Sequence, residues 1–116
     1  VNRNFRLKNS VDFMRVRRFG RSYAHPLIVL VALPMSANNT RFGIIAGRSL
    51  GNAVQRNHAK RMVRETLRTL LPSIKPGWDV IIICRRPILE ANFTQIQETL
   101  SKLFFKAELT DRTYSS

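Results

Sequence analysis

The chain has 116 residues, 44% of them apolar, with 20 Lys and Arg against 7 Asp and Glu, a formal net charge of +13. That length makes one domain with room for a real core, while the charge repels itself in a compact monomer and favours a polyanionic partner, either nucleic acid or an anionic membrane. A single cysteine, Cys84, excludes an internal disulfide and a cysteine-based zinc site.

The N-terminal VNRNFRLKNS has no apolar segment of the signal-peptide kind. The longest apolar run, Leu27–Leu33, is too short to cross a bilayer. A cytoplasmic protein, with no membrane partner, is the expectation. Residues 1–9, with Arg3, Arg6 and Lys8, read as a basic arm that orders on RNA. A short helix is predicted over 10–19, with Ser10 as N-cap and Asp12 in the first turn, where negative charge is favoured. Phe13 and Arg17 share a face at i, i+4. Val11, Met14, Val16 and Phe19 do not form one clean stripe. Gly20 ends the helix.

Residues 22–33 read as a strand bent or broken at Pro26, its Leu27–Leu33 part apolar enough to be buried on both faces. Pro34 and residues 36–40 supply turn chemistry. Arg41–Arg48 is a second strand. Phe42, Ile44 and Ala46 share one face, and Gly43, Ile45 and Gly47 the other. The two strands are expected to pair as an antiparallel hairpin. The two glycines leave space for another backbone to approach.

Gly51–Arg68, GNAVQRNHAKRMVRETLR, is the basic centre of the chain. Asn52 stands where a helix N-cap belongs, and no Pro or Gly intervenes before Pro72. On a helical wheel, Lys60, Arg64, Asn57, Arg68 and Arg61 fall on one side and Met62, Thr66, Ala59, Leu70, Val63 and Leu67 on the other, with Arg56 at the seam. Like charges at i, i+4 (Arg56–Lys60, Lys60–Arg64, Arg64–Arg68) repel by a few tenths of a kcal/mol per pair. A sequence selected only for stability would intersperse acids; here Glu65 is the sole acid, so an external polyanion is inferred to supply the missing charge.

Trp78 reads as an anchor at the core rim, and Asp79–Arg86 as a third strand containing the apolar Val80–Ile83. Cys84 reads as a small core residue. Strand, helix and strand over this length make a βαβ unit with parallel neighbours. Asn92 caps a last helix, whose Phe93, Ile96, Leu100, Leu103, Phe104 and Ala107 form a core-facing stripe. The tail from 110 to 116 is expected to fray.

Catalytic chemistry needs positioned acids, bases or nucleophiles. The histidines, His25 and His58, make no HxxxH or HExxH spacing, and the seven acids stand singly. Gly47–Gly51 lacks the spacing of a phosphate-binding loop. A self-sufficient protein active site is not expected.

Arg56-Asn57-x-x-Lys60-Arg61-x-x-Arg64, following Gly51-Asn52-Ala53-Val54, resembles the RNR motif of the bacterial ribonuclease P protein component. The basic arm, the helix with Phe13, Phe42-Gly43-Ile44 leading to Arg48, Gly77-Trp78-Asp79 before VIIICRR and the last helix agree in order. The resemblance implies an α+β fold of one RNA-binding domain over 1–116. It is a two-layer α/β sandwich: a four-stranded, mostly antiparallel sheet, three main helices and a left-handed βαβ crossover. The fourth strand comes from splitting residues 22–33 at Pro26. The resemblance also implies a protein that joins ribonuclease P RNA, one to one, and binds precursor tRNA for removal of its 5′ leader. The Mg²⁺-dependent hydrolysis would lie in the RNA. Carried over by position, Arg48, Asn52, Arg56, Asn57, Lys60, Arg61, Arg64 and Arg68 would contact the catalytic RNA. Phe13, Arg17 and Val31 would line a cleft for the leader. Many relatives carry aromatics where Arg17 and Val31 stand, and Lys where Ser49 stands. A ribosomal or RNA-chaperone protein shares the charge and the fold and is the alternative.

Overall fold

The computed structural model describes residues 6–36 and 38–111; Arg3 and the rest of the expected arm up to residue 5, and tail residues 112–116, lie outside the described residues. Three helices, α1 (Ser10–Phe19), α2 (Ala53–Leu70) and α3 (Phe93–Lys106), accompany four strands, β1 (Arg21–Ala24), β2 (Ile28–Pro34), β3 (Arg41–Ile45) and β4 (Trp78–Cys84). Pro26 divides β1 from β2, as the ring's missing N–H requires. Asn9, not Ser10, occupies the N-cap of α1 and makes no side-chain cap bond. The longer helices start with local chemistry the sequence announces. In α3 the Asn92 side chain accepts from the Gln95 N–H at 2.8 Å, and the Gln95 side chain accepts from the Asn92 N–H at 2.9 Å.

The sheet order is β1-β2-β4-β3, antiparallel except for β3 beside β4. The predicted hairpin between β2 and β3 does not form, because β4 inserts between them. Val80–Ile83 is the most apolar segment of the chain, and the centre of the sheet buries Val80, Ile81 and Ile82 fully and Ile83 in part. The βαβ reading of β3, α2 and β4 holds. β3 ends at Ile45, and Arg48–Leu50 is already a 3₁₀ turn that leads through Gly51, at φ 152°, into α2. That φ favours glycine. Gly47, by contrast, has nothing near the position of a Cβ.

Alternation along the strands divides the apolar residues between two cores. Ile28, Leu30 and Ala32 of β2 and Val80, Ile82 and Cys84 of β4 face α2 and α3. The predicted stripe of α3 packs there, with Phe104 edge-on to Phe42 at 6.2 Å between ring centroids, although Phe93 stays partly exposed. Trp78 packs half-buried at the rim of this core. These elements are the sandwich. α1 adds cover to the second face, where Val16 closes over Val31, Ile81 and Leu7. Only Val16 of α1 is buried, while Val11, Met14 and Phe19 are exposed, which accounts for its lack of a clean stripe.

Part of the arm is built into the fold. Leu7 is 3% exposed and donates its N–H to the Phe42 carbonyl at 2.8 Å, and Arg6 pairs with Phe42 as a parallel bridge along the free edge of β3. The expectation that the arm of residues 1–9 orders on RNA is corrected for Arg6 and Leu7. At the other end Leu109 and Thr110 are buried, and the Leu109 carbonyl accepts from the Lys75 N–H at 2.8 Å, so fraying does not begin at 110.

α1 is fastened to the sheet by charge. Asp79, its side chain 2% exposed, accepts from Arg41 Nε at 2.9 Å and Nη2 at 2.7 Å, and from Arg15 Nη2 at 3.0 Å. Asp12 completes the group, 3.0 Å from Arg15 Nη1 and 3.5 Å from Arg41 Nη1. The Asp79 hydrogen bond and the charges of Asp79 and Asp12 raise the pKa of Arg41 above its ordinary value, against desolvation.

Asp79→Ala strands two guanidinium groups at a half-buried site and is expected to lower unfolding stability by about 3 kcal/mol. Asp12→Ala, with a more exposed carboxylate, is expected to lower it by about 1 kcal/mol; urea midpoints at constant m test both. Burial raises the Cys84 thiol to about 11, so in folded protein at pH 8 Cys84 is expected to resist iodoacetamide and to react once urea unfolds the chain. Labelling followed by mass spectrometry reads the outcome.

Candidate nucleic-acid interface

α2 lies between β3 and β4 in the chain, and its apolar side (Ala59, Val63, Thr66, Leu67 and Leu70) is buried against the main core. Thr66 sits among apolar neighbours because its hydroxyl donates to the Met62 carbonyl at 2.9 Å. Burying that side sends the cations outward. Asn57, His58, Arg61, Arg64 and Arg68 are exposed, and Arg56 and Lys60 are half-buried at the seam. Arg48 stands exposed in the 3₁₀ turn just before the helix.

The start of α2 is itself suited to anions. Asn52 Oδ1 accepts from the Gln55 N–H at 2.9 Å, and the Asn52 N–H donates to Gln55 Oε1 at 2.9 Å. No acid occupies the first turn, so the positive end of the helix dipole is left uncompensated. The cap occupies the Asn52 oxygen, leaving the side-chain amide for an external acceptor.

The predicted cations are not equal. Arg68 donates to Glu65 at 2.8 Å, which cancels the last step of the like-charge ladder. Arg48, Arg56, Lys60, Arg61 and Arg64 have no ion pair among the described residues. These five, with Asn52 and Asn57, form a surface ready to neutralise phosphates.

The three residues assigned to the leader separate. Phe13 leans over Gly43, where any Cβ would collide with its ring. Together with Arg6, Leu7, Phe42 and Arg64 it lines a cavity of about 160 Å³ at the β3 edge. The close approach expected at Gly43 is thus made by a side chain of α1. Arg17 is exposed on another part of α1, beside Met14, Arg18 and Phe19. Val31 is 3% exposed beneath Val16, and Gly20 also crowds it; it serves packing and offers no contact surface. The odd positions of β2 face the α1 side, where α1 covers Val31 and leaves Val29 and Leu33 half-buried.

Sequence reasoning missed two features. Arg64 and Arg6 reach the Phe13 cavity, joining the basic side of α2 to α1 around the β3 edge. Beyond α1, Val29, Ile83 and Ile45 line up across three strands in a half-buried apolar row on the same sheet face. Period-two alternation in β2, β3 and β4 carried the signal for the row; the cavity depends on sheet order and had none. Asp12 and Asp79, scattered in sequence, do come together, but Arg15 and Arg41 already occupy their oxygens. Burial lowers the His25 pKa, with smaller contributions from Lys102 and Lys106, and its Nδ1 accepts from the Leu27 N–H at 3.1 Å.

A protein-family model described as Ribonuclease P matches residues 1–108. The ribonuclease P protein component of Herpetosiphon aurantiacus is 47% identical over 109 residues, covering 94% of this chain and 89% of that protein. The corresponding protein of Chloroflexus aurantiacus is 38% identical over 108 residues, covering 92% and 80%. Among solved structures, the RNase P protein of Staphylococcus aureus superposes with a TM-score of 0.84 at 31% identity, covering 92% of this chain and 98% of that one. The RNase P protein of Thermotoga maritima gives 0.80 at 30% identity, covering 87% and 96%.

Replacing Arg56, Lys60 and Arg61 together by Ala is expected to weaken RNA binding and to reduce the log–log salt slope by roughly two to three. Arg68→Ala, which removes an already paired charge, is expected to change the slope by less than about one. Fluorescence anisotropy over a salt series measures both, and an unchanged slope in the triple variant would remove this side of α2 as the phosphate surface.

Proposed function

The chain belongs to the ribonuclease P protein family, and from that premise we propose that it is the protein subunit of a ribonucleoprotein endonuclease that removes the 5′ leader from precursor tRNA. It joins ribonuclease P RNA one to one, in the cytoplasm. The Mg²⁺-dependent hydrolysis lies in the RNA. The observation that carries this reading is the row of cations, Arg56, Lys60, Arg61 and Arg64, without an ion pair among the described residues, on a helix whose other side is committed to the core. Such a surface gains nothing from intramolecular pairing and everything from phosphate neutralisation. Arg48, Asn52 and Asn57 extend it around the start of α2.

Phe13 receives the leader in this reading. Its ring borders a small cavity flanked by Arg6 and Arg64, so a base stacks there while a guanidinium meets the adjoining phosphate. Arg17 contributes a phosphate contact outside the cavity. Val31 acts indirectly, by seating α1.

Reconstitution tests the proposal. Purified protein is added to a bacterial ribonuclease P RNA and precursor tRNA at low Mg²⁺, with the RNA alone alongside. The expected outcome is restored cleavage at the mature 5′ end. Salt-sensitive RNA binding without stimulation would favour the ribosomal or RNA-chaperone alternative. Phe13→Ala is expected to weaken binding of leader-bearing precursor at least about fivefold and to leave mature tRNA binding nearly unchanged. Equal losses on the two RNAs would remove the cavity from the leader path.

A further inference from the structure

A second aromatic groove lies at the other side of the sheet from the Phe13 cavity. The end of α1, the starts of β1 and β4 and the end of α3 enclose about 410 Å³, lined chiefly by Phe19, Arg21, Tyr23, Trp78, Lys106 and Glu108. Phe19 is 65% exposed, and the Arg18 guanidinium stands 5.5 Å from its ring centroid. Three rings line it, Phe19 exposed and Tyr23 and Trp78 half-buried, together with two cations, Arg21 and Lys106, and one acid, while Arg18 adds a third cation from its place beside the Phe19 ring. Nothing in the fold needs Phe19 in solvent, and a charged or polar residue would serve packing equally well there.

Rings interleaved with cations suit a single strand of RNA, whose bases stack while its phosphates pair. Glu108 leaves an acceptor for a base amino group or a 2′-hydroxyl. The groove is also continuous with the leader path, because Phe19 borders both it and the hollow that contains Arg17. Phe13 and Phe19 are six residues apart on α1, about 9 Å along its axis. We propose that this groove binds the upstream nucleotides of the precursor's 5′ leader, beyond those at Phe13 and Arg17. The proposal rests on the leader assignment made above and extends it.

Trp78 is the only tryptophan, so the groove carries its own probe. Titrating the isolated protein with a short single-stranded oligoribonucleotide is expected to quench Trp78 fluorescence saturably. Phe19→Ala is expected to weaken that binding at least about fivefold, whereas Phe19→Tyr, which keeps the ring, binds as the unaltered protein does. In the reconstituted enzyme, precursor with a long leader is expected to bind more tightly than precursor whose leader ends near Phe13. Phe19→Ala is expected to erase that advantage, while Phe13→Ala weakens both substrates. RNA binding seen by anisotropy with no change at Trp78 would overturn the proposal. So would a long-leader advantage that survives Phe19→Ala, or equal quenching by poly-glutamate, which would make charge alone the occupant's signature. The titration needs no catalytic RNA. A protein that passes it but does not stimulate cleavage would refute the ribonuclease P role and with it the leader as occupant; a protein that stimulates cleavage but fails the titration would refute the groove alone.

Discussion

The position of α1 depends on one buried carboxylate. Asp79 sits near the start of the central strand, almost wholly removed from water, and is tolerable there only because Arg41 grips it through two nitrogens and Arg15 through a third. Arg15 belongs to α1 and Arg41 to β3, so a single anion ties a helix to the far strand of the sheet. Net stability from such a group is small, since desolvation offsets most of the attraction. Its directional bonds instead fix the orientation of α1, which buries only Val16 and would otherwise be held by little. With α1 oriented, Phe13 falls against Gly43 and the cavity beside Arg64 exists.

Elsewhere the molecule leaves its charge unbalanced. Acids are few, and those that matter are spent on structure: two in the Asp79 group, one on Arg68 and one on Lys75. What remains on α2 is a cationic strip backed by a rigid apolar side. The division of labour follows from electrostatics. A helix anchored by Val63, Leu67 and Leu70 can hold like charges at fixed spacing without unfolding.

What the sequence disclosed was mostly local. The Asn52 and Asn92 N-caps, the break at Pro26 and the cationic side of α2 all follow from spacings within a few residues or turns, and the βαβ unit from the order of three elements. The β2–β3 hairpin was misread because a short polar turn ordinarily joins neighbours; only the competition for the central position, won by a segment far along the chain, overrides it. The Asp12–Asp79 group and the Phe13–Arg64 cavity are likewise products of sheet order. Val31 shows a subtler gap. Its burial was legible in the apolar run, but a functional role carried over by position cannot tell whether a helix will cover the residue. Arg6 and Leu7 looked like free arm, since nothing local marks a strand edge in need of cover.

The insertion of β4 between β2 and β3 also sets an order of events during synthesis. Until residues 78–84 have emerged, β2 has only β1 as a strand partner among the described residues, and β3 only Arg6 and Leu7. Neither core can close, and the cationic helix, made earlier, still lacks Val80 and Ile82 of the surface it packs against. Sheet pairing of this kind is non-local and slow relative to helix formation. The cationic side of α2 therefore becomes fixed only when most of the chain is complete, so a truncated chain presents its arginines on a helix without a fixed bearing. A chain that ends before the central strand thus carries the charge of the whole protein without its shape.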